Sequence, residues 1–214
     1  MSIYQVLRMK KFIILCILLL RTFIVSAYDI NVDGIRYNFT SDSTVAVTYI
    51  FYLQYNDEYR GDMVVPASIT HDGKTYAVTS IGKMAFYFCR FLNSVTLPTS
   101  ITKIEDDAFC KSSIVTIKIP DGVTELRGNV FANCSYLKSI QLPPSFTRIS
   151  STHIITNCLQ LEEIECRAIV PPVFENKEID NYILKKCTLK VPKESVDACR
   201  SAIGWKECKK IVTI

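Results

Sequence analysis

Residues 92–113 read LNSVTLPTSITKIEDDAFCKSS, and this stretch decides the fold. Val95 and Leu97 alternate with Thr96, the period-two pattern of a strand with one buried face. Pro98 has no N–H to donate and stops the ladder. Ile101 and Ile104 turn back to the interior, and Ala108 and Phe109 fill the space beneath. The stretch is a short strand, a turn, a second extended piece and a compact helical turn.

The same order recurs on both sides, in YAVTSIGKMAFYFCRF from Tyr76, IVTIKIPDGVTELRGNVFANCSY from Ile114 and LKSIQLPPSFTRISSTHIITNCLQ from Leu137. Leu92, Ile114, Leu137 and Leu161 follow one another at steps of 22, 23 and 24 residues. Pro98, Pro120 and Pro143 keep that beat, as do Ile81, Ile104, Leu126 and Ile149, and Phe86, Phe109, Phe131 and Ile155. Independent columns in phase at this period mark a repeat architecture. One coil alone buries too little apolar surface to offset the entropy of ordering its backbone. Stacked coils share their faces and gain inter-strand hydrogen bonds, so the sequence predicts a solenoid with capped ends.

The flanks carry different signals. In residues 28–75, strand-like pieces (Ile35 to Phe39, Val45 to Tyr55, Met63 to Val65) lie between turn signals at Asp33-Gly34 and Asp72-Gly73. After Leu161 the beat is lost at Pro171-Pro172, and 173–186 reads as an irregular polar connection. A strand over Thr188–Val191 and a helix from Pro192 towards Ala202 follow, with Ile211 to Ile214 closing the edge. The expected division is a leader at 1–27, an N-terminal β cap at 28–75, repeats at 76–170 and a C-terminal capping module at 171–214.

The leader is read from the apolar run FIILCILLL at 12–20, preceded by Lys10 and Lys11 and ending in Val25-Ser26-Ala27. That is the pattern of a secretory signal peptide, with Met9 as its natural start. The expectation is an exported chain found at the cell surface, in the periplasm or in the medium, touching membrane only through export. Beyond residue 27, 21 basic residues balance 21 acidic ones, so no basic face for nucleic acid is expected. The balance is local, however: three basic against seven acidic residues in 28–75, and eight against three in 185–214. Lysines at that second end suit a solvated sheet edge, the other reading being contact with an anionic glycan or lipopolysaccharide. Of the eight cysteines past the leader, Cys89, Cys134 and Cys158 occupy one place in the repeat, which predicts small buried apolar groups in place of a disulfide framework.

With its columns laid out, the sequence resembles the BspA-like branch of the leucine-rich repeat proteins. Leu92, Val95, Leu97, Pro98, Ser100, Ile101, Ile104, Ala108 and Phe109 match that branch's unit, as do Ile81, Gly82, Ala85, Phe86 and Cys89. The tail TLKVPKESVDACRSAIGWKECKKI looks like its terminal module. The resemblance implies a β-rich (α+β) fold: a short leucine-rich repeat solenoid of about four to five coils with an N-terminal β-hairpin cap and a C-terminal strand-helix cap. It also implies an exported bacterial binding protein of adhesin type, without catalytic residues. Its departures are Cys110 directly after Phe109, Ser112 at the usual cysteine place, and Ile154-Ile155 for Ala-Phe. Cys199 and Cys208 stand where that terminal module tends to carry aromatic rings, which leaves two outcomes open, free thiols or one bridge between them.

No enzyme is expected. A nucleophile made of Cys110 or Cys158 with His153 lacks an orienting partner and a cleft. No metal or other cofactor is expected either, since Cys-x-x-Cys and helical His pairs are absent. Glu105-Asp106-Asp107 lacks the alternate-ligand spacing of a calcium loop and reads as a solvated turn. The candidate binding positions are outward residues recurring on adjacent coils. Thr96, Lys118, Gln141 and Glu165 form one row, and Ser80, Lys103, Glu125 and Arg148 a second. Thr79, Thr102, Thr124 and Thr147 form a third. Such rows suit a surface protein or a glycan, of host or bacterial origin, as the partner. The alternative is a structural protein of the cell envelope with no dedicated ligand, its threonines serving only strand propensity.

Overall fold

The computed structural model describes residues 28–49, 59–151, 153–175 and 181–214. The expected leader and the end of the strand-like piece at 45–55 lie outside those residues. The first elements form a small sheet: β1 (Ile30–Val32) and β2 (Ile35–Phe39) make a hairpin, and β3 (Thr44–Val47) runs antiparallel to β2. Asp33 and Gly34 turn that hairpin with φ of 50° and 82°, the geometry an Asp-Gly pair tolerates. β4 (Arg60–Val64) comes next, then β5 (Ser68–His71) and β6 (Lys74–Ile81), an antiparallel pair joined at Asp72-Gly73.

Beyond β6 the chain winds in coils. β7 (Phe91–Thr96), β9 (Thr116–Lys118), β11 (Ser139–Leu142), β13 (Glu163–Cys166) and β15 (Thr188–Val191) are the successive first strands. β8 (Lys103–Ile104), β10 (Glu125–Leu126), β12 (Arg148–Ile149) and β14 (Val173–Phe174) are the second extended pieces. The tail adds a short helix α1 (Asn181–Leu184), a helix α2 (Val196–Ser201) and the last strand, β16 (Lys210–Thr213). All inter-coil pairings are parallel, as a chain climbing one coil at a time requires. The main sheet has seven strands in the order β4, β7, β9, β11, β13, β15, β16.

A continuous apolar spine runs between the ladders. Phe86 stacks on Phe109 at a centroid distance of 5.0 Å, and Phe109 on Phe131 at 5.6 Å. Tyr59 packs on Phe86 at one end (5.4 Å) and Phe174 on Trp205 at the other (4.9 Å). The compact turns carrying these rings are tied by a ladder of their own, Phe86 N to the Ala108 carbonyl (2.7 Å), Phe109 N to Val130 (3.0 Å) and Phe131 N to Ile154 (3.0 Å). Ile155 keeps the column in the coil that lacks a phenylalanine and is buried.

The cysteine column belongs to the same core. Cys134 donates its thiol to the Phe109 carbonyl and Cys158 to Phe131, both at 3.0 Å, while Cys187 reaches Leu161 at 3.2 Å. Ser112, in the cysteine place, is buried and lies 3.5 Å from the Cys134 sulfur, so the column continues through it. The residue before Cys89, Ser112, Cys134 and Cys158 sits at positive φ: Phe88 (54°), Lys111 (60°), Asn133 (61°) and Asn157 (60°). Asparagine tolerates this left-handed geometry, whereas Phe88 and Lys111 hold it at a cost of about 1–2 kcal/mol each.

Three expectations need correction. The segment 173–186 is not simply irregular: β14 extends the second ladder, and α1 buries Ile183 and Leu184. The apolar residues of this segment are too few and too irregularly spaced to show a period. A boundary at 75/76 falls inside β6, and β4, upstream of it, is a member of the main sheet. Ser80 is not outward-facing: it is only 8 % exposed, flanked by Ala46 on β3 and Lys103 on β8.

Close stacking sets one glycine's identity. A Cβ on Gly122 would lie 2.6 Å from the carbonyl oxygen of Ile101 in the preceding coil, a backbone atom that cannot swing aside. Gly122→Ala is therefore expected to cost about 1–3 kcal/mol, the range of an overpacked core, read as a lower urea midpoint.

Candidate functional site

The outer face of the seven-stranded sheet carries two parallel rows of side chains. Along the first, Val64 lies opposite Thr96, Gln141 opposite both Lys118 and Glu165, and Glu165 opposite Lys190. Thr96 and Lys118 are exposed, but Glu165 is held within the row. It accepts hydrogen bonds from Gln141 Nε2 (2.8 Å) and Arg167 Nε (2.6 Å). Its burial pushes the carboxyl up, yet the bonds from Arg167 and Gln141 and the charges of Arg167 and Lys190 outweigh that and leave it below the usual carboxylate range. Reversing Glu165 would thus disturb the fold as well as the surface, and only Thr96 and Lys118 are clean probes of the face.

The second row on this face was missed in the sequence. Asp62 pairs with Ser94, Ser94 with Thr116, Thr116 with Ser139, Ser139 with Glu163, Glu163 with Thr188 and Thr188 with Lys210. The signal was present, because each member precedes a member of the first row by two residues and must share its face. Ser94 Oγ donates to Asp62 Oδ1 at 2.6 Å, and Lys190 Nζ pairs with Glu163 at 2.7 Å. Between the rows, shallow hollows of about 240 Å³ and 550 Å³ lie over β9–β13 and over β13–β16. Strands about 4.8 Å apart make this face about 29 Å long.

The second extended pieces behave differently. Lys103 pairs with Glu105 at 2.7 Å, Arg127 with Glu125, and Arg148 bridges Glu125 at 3.9 Å and Glu175 at 2.8 Å. Lys103, Glu125 and Arg148 therefore sit in a strip of alternating charge, and exposed pairs of this kind contribute little to stability. The threonine row is structural in part: Thr102 and Thr147 donate N–H and hydroxyl alike to the carbonyls of Thr79 and Thr124 in the coil before.

The remaining chemical candidates are accounted for by packing. Cys158 commits its proton to the Phe131 carbonyl, Cys110 is buried and its thiol is pushed up by that burial, and His153 is exposed. Glu105 is paired with Lys103, and Asp107 Oδ1 accepts from Asn129 Nδ2 at 3.0 Å. Among the described residues no cluster of three or more His, Cys, Asp or Glu side chains is placed to hold a metal. Cys199 on α2 and Cys208 after the 3₁₀ turn Trp205–Glu207 are both free thiols in this structure. Burial, and then the nearby Cys187, Cys199 and Glu207, push Cys208 up to about 12.

The family model of the BspA-type leucine-rich repeat region matches residues 68–190 in six copies. The chain belongs to this family. The six copies exceed the four to five coils read from the columns, and the matched range runs from β5 into β15. A leucine-rich repeat protein of Bacteroides capillosus is 26% identical, with a TM-score of 0.53 over 65% of this chain and 98% of that one. A leucine-rich cell surface protein of Faecalibacterium prausnitzii is 22% identical, with a TM-score of 0.51. This BspA-type chain is matched there over 85% of its own length but spans only 38% of that protein, and the likeness is one of fold. No curated protein matches the chain. No enzyme family is indicated by these likenesses. Among the described residues no helix is long and apolar enough to cross a membrane.

Proposed function

We propose that the protein is an exported, non-enzymatic binding module of adhesin type, presenting the outer face of its main sheet to a surface protein or glycan. The observation that carries this reading is the face itself: two rows of chiefly polar and charged side chains, paired across the seven strands and set on a continuous apolar spine. Small residues keep the backbone accessible, and a long flat array suits an extended partner. A BspA-type repeat region and a bacterial cell surface protein among the likenesses support it. The run FIILCILLL after Lys10-Lys11 supports export.

The test is an array of matrix proteins and glycans probed with the protein, followed by the doubly substituted Lys118→Glu, Thr96→Arg protein. Both side chains are exposed, so thermal stability should stay within about 0.5 kcal/mol of the parent. Affinity for the captured partner should fall by about tenfold or more. Unaltered binding would sink the strand-face site, and silence across the array would favour an envelope protein without a ligand.

A further inference from the structure

The passage from β13 to β14 reads Ile169-Val170-Pro171-Pro172-Val173, and three of its side chains stand in solvent. Ile169 is 58% exposed, Val170 77% and Val173 61%. Ile203, on the turn leading to Trp205, is exposed as well. Branched aliphatic side chains gathered at one place mark a docking surface. The loop is held firmly from below. The Ser195 hydroxyl donates to the carbonyls of Ala168 (3.2 Å) and Ile169 (2.8 Å), and Trp205 Nε1 donates to that of Pro172 (2.7 Å). Pro171 and Pro172 have no N–H, and the Val173 N–H bonds the Thr147 carbonyl at 2.9 Å.

The chemistry of this tip selects its partner. Its side chains carry no donor or acceptor, and much of its backbone is satisfied from within, so it can enter a hydrocarbon phase at little polar cost. A protein partner would find few hydrogen bonds to make there, whereas protein interfaces ordinarily carry about ten. Charge points the same way. Lys193, two residues before Ser195, and Lys206, next to Trp205, are exposed and form no ion pair among the described residues. With Lys190 taken by Glu163 and Arg200 by Asp197, the six other lysines of 185–214 are balanced only by Glu194 and Glu207.

We propose that this end of the solenoid docks on a bilayer rich in anionic lipid. Ile169, Val170 and Val173 enter the acyl boundary, and Lys193 and Lys206 lie against the headgroup phosphates. This is a membrane contact beyond the one expected during export. It does not depend on the strand face having a partner.

Trp205, the single tryptophan, reports on the contact, because its indole is bonded to the loop and bromine quenches indole fluorescence only at short range. The full chain is mixed with vesicles whose acyl chains are brominated, either phosphatidylglycerol with phosphatidylcholine or phosphatidylcholine alone. Quenching by the phosphatidylglycerol vesicles, weakened by added salt, with little by phosphatidylcholine alone, is the expected result. Val170→Asp changes the most exposed of these side chains, so it should fold as the parent does and need about tenfold more lipid or beyond. Lys193→Gln together with Lys206→Gln should raise the lipid requirement by about tenfold or more. Leu159→Asp, an exposed apolar site outside the loop, should leave it unchanged. The apolar run at 12–20 is common to all these proteins and holds no tryptophan, so differences in quenching arise around Trp205. Equal quenching by both vesicles, quenching by neither, or a Val170→Asp protein quenched like the parent would overturn the proposal. So would a lipid-free dimer in sedimentation equilibrium that Val170→Asp dissolves, which would assign the patch to a second copy of the chain. None of these outcomes bears on the partner of the strand face.

Discussion

Phe109→Ala is expected to lower the free energy of unfolding by about 3–5 kcal/mol, the range for removing a fully buried aromatic ring. The ring is wholly buried and stacked on both sides, so its loss opens a void that neither Phe86 nor Phe131 can close without leaving its own neighbour. The backbone bond from Phe109 N to the Val130 carbonyl does not need the side chain and should survive. A second effect follows from the linear build. Coils contact chiefly their neighbours, so a weak joint in the middle uncouples the two ends. Trp205 is the single tryptophan and sits at the C-terminal end against Phe174. In the parent, its fluorescence and the far-ultraviolet circular dichroism should report one urea midpoint. In Phe109→Ala they should report two, and coincident curves with a small shift would contradict the shared spine.

The second large effect is on pH. Burial pushes Cys134 up to about 12, against the weaker pull of the Ser112 hydrogen bond. Burial likewise takes Cys166 and Cys187 up to about 11. In the unfolded chain these thiols ionise near about 8.5. A folded value above the unfolded one means the stabilisation is complete below about pH 8.5 and is lost as pH rises towards 11–12. Within that window a deeply buried thiol such as Cys134 removes up to about 1.4 kcal/mol per pH unit. Urea unfolding under reductant at about pH 7.5 and about pH 10 should therefore show a marked alkaline loss. Cys134→Ala should be less stable at neutral pH but lose less between the two conditions. An equal loss in both proteins would show that Cys134 does not ionise on unfolding in this range.

The columns made the coils legible because each inward position answers to one demand, filling a fixed space beneath a fixed neighbour. Phe86, Phe109 and Phe131 announce that demand directly, and so do the prolines that end the strands. The ends were harder to read. Val173, Phe174, Ile183 and Leu184 serve the same spine from a segment whose spacing is set by closure, and closure imposes no period. Ser80 read as outward because its equivalents Lys103, Glu125 and Arg148 are charged; only the lateral arrival of β3, a non-local event, covers it. For the candidate site, the sequence placed the first row and missed the second, although the two-residue alternation contained both. That Glu165 is tethered while Lys118 is exposed depends on Arg167 and Lys190 converging from different coils, which no single unit of the repeat displays.

The carbonyl and amide arrays described for the compact turns have a bearing on how such a molecule changes over generations. Each coil offers the next the same docking geometry, whatever side chains it shows to the outside. A unit of some two dozen residues can accordingly be duplicated, deleted or shuffled with its joints intact. Recognition is then free to drift on the outside while the inside stays interchangeable.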